Sequence, residues 1–153
     1  MSVEAKLEKL NLQLPPAPKP AGTYQPILQI GDLCYLSGHI PVRADGSLIQ
    51  GKVGADLSVA EGREAARTVG LCLLASLKNH LGTLDRVVRI VKVFGVVNAS
   101  LDFQDHPQVI NGFSDLMVEV FGEAGRAARS AIGAASLPAN VAVEIEAIVQ
   151  VRE

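Results

Sequence analysis

The C-terminal stretch, residues 141–151, constrains this chain more than any other. Val141, Val143, Ile145, Ala147, Val149 and Val151 alternate with Ala142, Glu144, Glu146, Ile148 and Gln150, and Arg152 continues the second set. Successive side chains of a strand point to opposite faces, so the alternation predicts a strand with one apolar face and one mixed face bearing two carboxylates. A strand of this kind holds only within a sheet whose apolar face is covered. The remaining elements must supply both sheet and cover.

The pattern upstream does so. Residues 24–30 and 33–37 are rich in strand formers and flank Gly31-Asp32, a two-residue hairpin turn. A loop with Asp45-Gly46 follows. Ser58-Val59-Ala60-Glu61 has the form of a capping box, with Ala66, Val69, Leu73, Leu77 and Leu81 at helical spacing and Gly82 as a stop. Residues 87–97 are β-branched and almost continuously apolar, which predicts a central strand. Pro107 opens a second helix with Val109, Ile110, Phe113, Met117 and Phe121 along one face, closed by Gly122. Residues 129–135 predict a short strand. The order is ββαβαββ, an α+β domain with a mixed sheet and two helices on one face. Residues 1–22 read as an arm, a short helix from Val3 to Leu10 ended by Pro15, Pro16, Pro18 and Pro20, and 23–153 as one domain. Two helices leave the second face of the sheet bare. Apolar area of that extent marks an interface, which a symmetric oligomer would cover.

Composition narrows the class. The chain has 153 residues, 48% hydrophobic, with net charge −2, which excludes a disordered chain and fits one domain. Cys34 and Cys72 are too few for a disulfide scaffold. No run approaches the ~20 apolar residues of a membrane span, and the N-terminus lacks a basic start followed by an apolar stretch, so the expectation is a cytoplasmic protein without membrane partners. Fourteen basic against sixteen acidic residues, no Trp and scattered Phe and Tyr argue against nucleic acid.

The search for catalytic motifs finds no phosphate loop, dinucleotide fingerprint or paired C-x-x-C, and His39, His80 and His106 have no metal-site spacing. His39 follows Ser37-Gly38 at a strand end and is a candidate for the rim of a pocket. Arg129 leads into an apolar strand and must find a partner, because an unpaired buried cation is costly. One reading is an ion pair with Glu144 or Glu146; the other is a guanidinium fork waiting for a substrate carboxylate. Glu144 and Glu146 share a strand face, and a carboxylate in a covered cleft can hold and polarise a water.

The strings TYQPILQIGDLCYLSGHIPV, RSAIGAASLP and VAVEIEAIVQV resemble the Rid/YjgF family, the reactive-intermediate imine deaminases once called L-PSP endoribonucleases. The resemblance runs from Tyr24 to Val151 and is carried best by RS…LP…VEIEAI, in which Arg129 and Glu144 stand fifteen residues apart. It implies a chorismate-mutase-like fold and a homotrimer with pockets between subunits, in agreement with the bare sheet face. It also implies cofactor-free hydrolysis of small 2-imino acids to 2-keto acids and ammonia, with Arg129 pairing the substrate carboxylate and Glu144 positioning the water. Tyr24 matches the pocket tyrosine, Ser37-Gly38 the segment whose backbone faces the ligand, and Asn111 a pocket asparagine. Ser130 and Ala131 follow the arginine into the site. Ala131 stands where many deaminases of the family carry Cys, His39 where a Gln often follows Ser-Gly, and the arm and the stretch 98–108 are longer than in compact members. A trimeric binder of small carboxylates without turnover is the rival reading. The ribonuclease label is opposed by the charge.

Overall fold

A computed structural model describes all 153 residues. The helix α1 (Val3–Lys9) is capped by Ser2, whose side chain accepts from the Ala5 N–H. The strands β1 (Ile27–Ile30) and β2 (Leu33–His39) form the expected hairpin about Gly31, whose φ of +60° suits a residue without Cβ. α2 (Val59–Leu81) carries the complete capping box, the Ser58 side chain accepting from Glu61 N–H and the Glu61 carboxylate from Ser58 N–H. Then come β3 (Val87–Asn98), α3 (His106–Phe121), β4 (Ala128–Ala134) and β5 (Val143–Val151).

The sheet order is β1-β2-β5-β3-β4, with only the β3/β4 pair parallel. The β3–α3–β4 crossover places a helix on the sheet, as a parallel pair requires. The family fold implied by the sequence is therefore present as a five-stranded mixed sheet with α2 and α3 on one face. Three details differ from the sequence reading. The middle strand is β5, with β3 beside it, because both β2 and β3 pair with β5. The first strand starts at Ile27 instead of Tyr24, because Tyr24 N–H closes a tight turn onto Gly22 and Pro26 has no N–H to give a ladder. The last begins at Val143, with Val141 held by a single bridge to Gln50.

On the covered face Val143, Ile145, Ala147, Val149 and Val151 of β5 pack with Ile90, Val93 and Val97 of β3 under Phe113, Leu73, Leu74 and Leu77. Glycines set the spacing of the layers. A Cβ on Gly95 would fall 2.7 Å from Ile110 Cδ1, and one on Gly112 would fall 2.0 Å from the Arg63 carbonyl oxygen, so α3 sits close on both β3 and α2. Arg63–Asp115 (2.8 Å) and Arg67–Glu119 (3.0 Å) bridge the outer side of the two helices.

The other face has no helices. Leu28, Ile30, Tyr35 and Ile132 are 54%, 64%, 41% and 46% exposed, with Phe94, Val96 and Ile148 half-buried. The arm is docked: Leu7 is buried in the core, Leu12 and Leu14 pack against it, and Glu4 bonds Lys78 and Leu84 N–H. No helix is long and apolar enough to cross a membrane.

Candidate functional site

The β2/β5 pairing contains a bulge. Leu36 lies opposite Ala147 and His39 opposite Ile145, so Ser37-Gly38 occupies the place of one residue facing Glu146. An extra residue kinks the strand and redirects its side chains, and such bulges gather near sites. Here the Ser37 hydroxyl donates to the Gln25 carbonyl, tying β2 to the segment before β1. Gly38 lies against Glu144, where an added Cβ would stand 2.8 Å from Oε2. His39 returns to the covered face. The residue is 4% exposed, with Nδ1 of its ring bonded to the Ser37 carbonyl (2.6 Å) and Nε2 to Ser76 Oγ of α2 (2.8 Å). Burial lowers its pKa, partly opposed by the bond to the Ser37 carbonyl. The ring is thus a core group joining sheet and helix, and His39 also borders the neighbouring cleft.

That cleft has a volume of about 670 Å³ on the bare side of the sheet. Its floor is Ser37, Gly38 and Glu144, and Tyr24 and Pro138 flank it. The arm supplies a wall from Pro18 to Gly22, fixed where the Ala21 N–H donates to the Tyr24 hydroxyl (3.2 Å). Glu144 is half-buried, while Glu146 is exposed. Burial raises the Glu144 pKa, and the charge of Glu146 on the same face raises it further. None of the four ion pairs of the chain includes it.

Arg129 lies elsewhere. It opposes Val93 on β3, which opposes Ala147 on β5, so its side chain leaves on the covered face while Glu144 and Glu146 leave on the bare one. The ion pair with Glu144 or Glu146 weighed from the sequence is therefore not formed. At about 4.8 Å per strand, β4 and β5 are also about 10 Å apart across β3. Arg129 Nη1 instead donates to Asn111 Oδ1 (2.8 Å) and Ser114 Oγ (3.1 Å) on α3. No carboxylate neutralises it. Ala131 follows on the same face of β4, half-buried, whereas Ser130 points to the bare face and is exposed.

The sequence candidates thus fall into two groups on opposite faces. Tyr24, Ser37, Gly38, His39 and Glu144 gather in the cleft, and Arg129, Asn111 and Ala131 gather at the β4 edge. The arm wall and Pro138 were not foreseen, nor was Ser114. Its signal was the three-residue spacing from Asn111, which puts both on one face of a helix. No cluster of three or more His, Cys, Asp or Glu side chains is arranged to hold a metal.

Residues 4–149 match the family described as "YjgF/chorismate_mutase-like, putative endoribonuclease". Protein TCP17 of Trypanosoma cruzi is 42% identical over 149 residues, covering 97% of this chain and 93% of its own. The 2-iminobutanoate/2-iminopropanoate deaminase of Dermatophagoides farinae is 30% identical, covering 92% of this chain and 95% of its own. Among solved structures, Atu1372 of Agrobacterium tumefaciens, a protein of unknown function, superposes with a TM-score of 0.88 at 39% identity, over 98% of this chain and 94% of that one.

Proposed function

The chain belongs to the YjgF/chorismate-mutase-like family, and from that premise we propose that it is a deaminase of small 2-imino acids whose site forms between subunits. The observation that carries the reading is the state of Arg129. It is a half-buried cation with no carboxylate partner, its Nη1 occupied by two neutral acceptors and its Nε–Nη2 edge free. That edge matches a carboxylate with two parallel hydrogen bonds. The relative named as a 2-iminobutanoate/2-iminopropanoate deaminase acts on substrates that bear such a group beside an imine.

Glu144 supplies the second half. A carboxylate whose pKa is raised by burial is a stronger base toward water than a fully solvated one, and its protonated form can hand the proton on. In the proposed reaction the water oxygen bonds to the carbon of the protonated imine as one of its protons passes to Glu144 and the C=N π pair moves to nitrogen, giving a neutral carbinolamine. Glu144 returns the proton to nitrogen. The C–N bond then breaks, the hydroxyl loses its proton to the medium, and ammonia and a 2-keto acid leave. Imines hydrolyse unaided, so fixing the carboxylate and the water supplies enough of the barrier without metal, cofactor or covalent nucleophile.

Arg129 and Glu144 of one chain cannot hold the same small substrate, since they leave opposite faces two strands apart. A homotrimer in which the β4 edge of one protomer meets the cleft of the next unites them. The exposed Leu28, Ile30, Tyr35 and Ile132 give such an assembly an apolar surface to bury.

The test is hydrolysis of 2-iminopropanoate, generated in situ by an amino-acid oxidase and trapped with semicarbazide. Wild-type protein speeds loss of the imine, and Arg129→Ala abolishes the effect. Acceleration that survives in Arg129→Ala removes the carboxylate anchor. No acceleration across several imino acids, with 2-keto acids still bound, replaces the deaminase by a carboxylate-binding protein.

A further inference from the structure

An arginine that anchors a substrate must have its fork aimed before the substrate arrives. The long side chain of Arg129 starts from an edge strand and is half-buried. Its direction is set from α3. Asn111 and Ser114, one turn apart and both half-buried, accept the two hydrogens of the same nitrogen, Nη1. The planar guanidinium then has a fixed Nη1 and a fixed strand attachment, which leaves Nε–H and the Nη2–H parallel to it on one edge with no partner in the chain.

We infer that Ser114 is a positioning residue for the substrate carboxylate: with Asn111 it clamps Nη1 of Arg129 so that the Nε–Nη2 fork is presented ready-oriented. This rests on the deaminase reading for its substrate, but the clamp itself is a matter of carboxylate binding. The chemistry also fixes the Asn111 amide. A guanidinium only donates, so Asn111 must turn its oxygen to Arg129, and its amide N–H groups face away from Nη1 as further donors. Neither Asn111 nor Ser114 carries charge, and this matters. A carboxylate in either place would occupy the cation and compete with the ligand, whereas two neutral acceptors hold it and leave its charge unspent.

Removing one of the two bonds frees the guanidinium to rotate about the other. The loss falls on ground state and transition state alike, since the carboxylate is bound in both, so KM rises while kcat holds. Ser114→Ala is expected to raise KM for 2-iminobutanoate, and the dissociation constant of 2-oxobutanoate measured by calorimetry, by about tenfold, the equivalent of one hydrogen bond to a charged group. Binding of the neutral 2-oxobutanamide changes less than twofold, because the amide makes no ion pair with the fork. Ser114→Thr, which keeps the hydroxyl, restores acid binding.

Wild-type affinity in Ser114→Ala overturns the inference, as does equal weakening toward acid and amide or failure of Ser114→Thr to restore binding. If Ser114→Ala misfolds, Ser114→Thr and Ser114→Val, near-equal in volume and differing in the hydroxyl, make the same comparison; equal acid affinity in these two also overturns it. The outcomes separate from those of the deaminase reading. A wild type that binds 2-oxobutanoate through Arg129 and Ser114 yet speeds no imine hydrolysis ends that reading and keeps the clamp. Arg129-dependent hydrolysis unaffected in KM by Ser114→Ala does the reverse. Absence of Arg129-dependent binding ends both.

Discussion

Replacing Gly38 by alanine isolates the placement of Glu144 from its chemistry. The added methyl would lie 2.8 Å from Glu144 Oε2, 2.9 Å from Cδ and 3.1 Å from Cγ. Ordinary contact begins at 3.4 Å, so the carboxyl must retreat by about 0.6 Å or leave its rotamer, at a cost of about 0.5–1.5 kcal/mol. The clash is with the free end of a side chain, and loss of a flexible glycine offsets part of it. The fold therefore changes by less than about 1 kcal/mol, a Tm shift of about 2–4 °C for a chain of this size. The site is far less tolerant. Misplacement by 1 Å costs on the order of a hundredfold, so a retreat of about half that distance lowers kcat about tenfold in the imine assay. Gly112→Ala is the contrasting case, because its methyl meets the Arg63 carbonyl oxygen at 2.0 Å and the main chains of α2 and α3 must part. Wild-type kcat in Gly38→Ala, with a crystal structure showing Glu144 displaced, would refute the role of the carboxyl.

Four further expectations concern charge and packing. Glu144 acts ionised and its pKa is raised, so kcat/KM falls on the acid side at a pH above 4.5, and Glu146→Gln, by removing the like charge, moves that limb to lower pH; a limb unmoved by Glu146→Gln contradicts the assignment. His39 is buried with its pKa lowered, so its contribution to stability is present above pH 6.5 and is lost as pH falls from there toward its folded value; urea melts at several pH values read this slope, which disappears in His39→Gln. Ser76→Ala leaves His39 Nε2 without its partner and costs about 1–3 kcal/mol. Leu7→Ala, at the one buried position of the arm's helix, costs about 2–4 kcal/mol in the same melts, whereas an arm that is only an appendage predicts no change.

Elements with strong local signals were readable from the sequence. The capping box of α2, the Gly31 turn and the alternation of β5 all hold, because each depends on residues a few positions apart. The position of β5 between β2 and β3 was not readable, since strand order depends on pairings among residues distant in sequence. The same limit governed the site. Spacing showed that Glu144 and Glu146 share a face, yet whether Arg129 shares it depends on the register of β4 on β3 and of β3 on β5. The direction of the His39 ring was hidden for a related reason. Parity from Ser37 sends it to the bare face, and the bulge at Ser37-Gly38 sends it back to Ser76. The arm has no periodic signal through its prolines, so its contact with the cleft had no sequence counterpart.

The central claim is that Arg129 of one protomer serves Glu144 of another, and subunit complementation tests it directly. Arg129→Ala and Glu144→Gln proteins are each inactive toward 2-iminopropanoate. Refolded together in equal amounts, with mixed assemblies verified by native mass spectrometry, they contain intact sites wherever an unmodified Arg129 meets an unmodified Glu144. In a randomly mixed closed ring that occurs at about one site in four, and the account predicts about a quarter of wild-type activity. Mixed assemblies no more active than their parents, beside an active wild type, would contradict it.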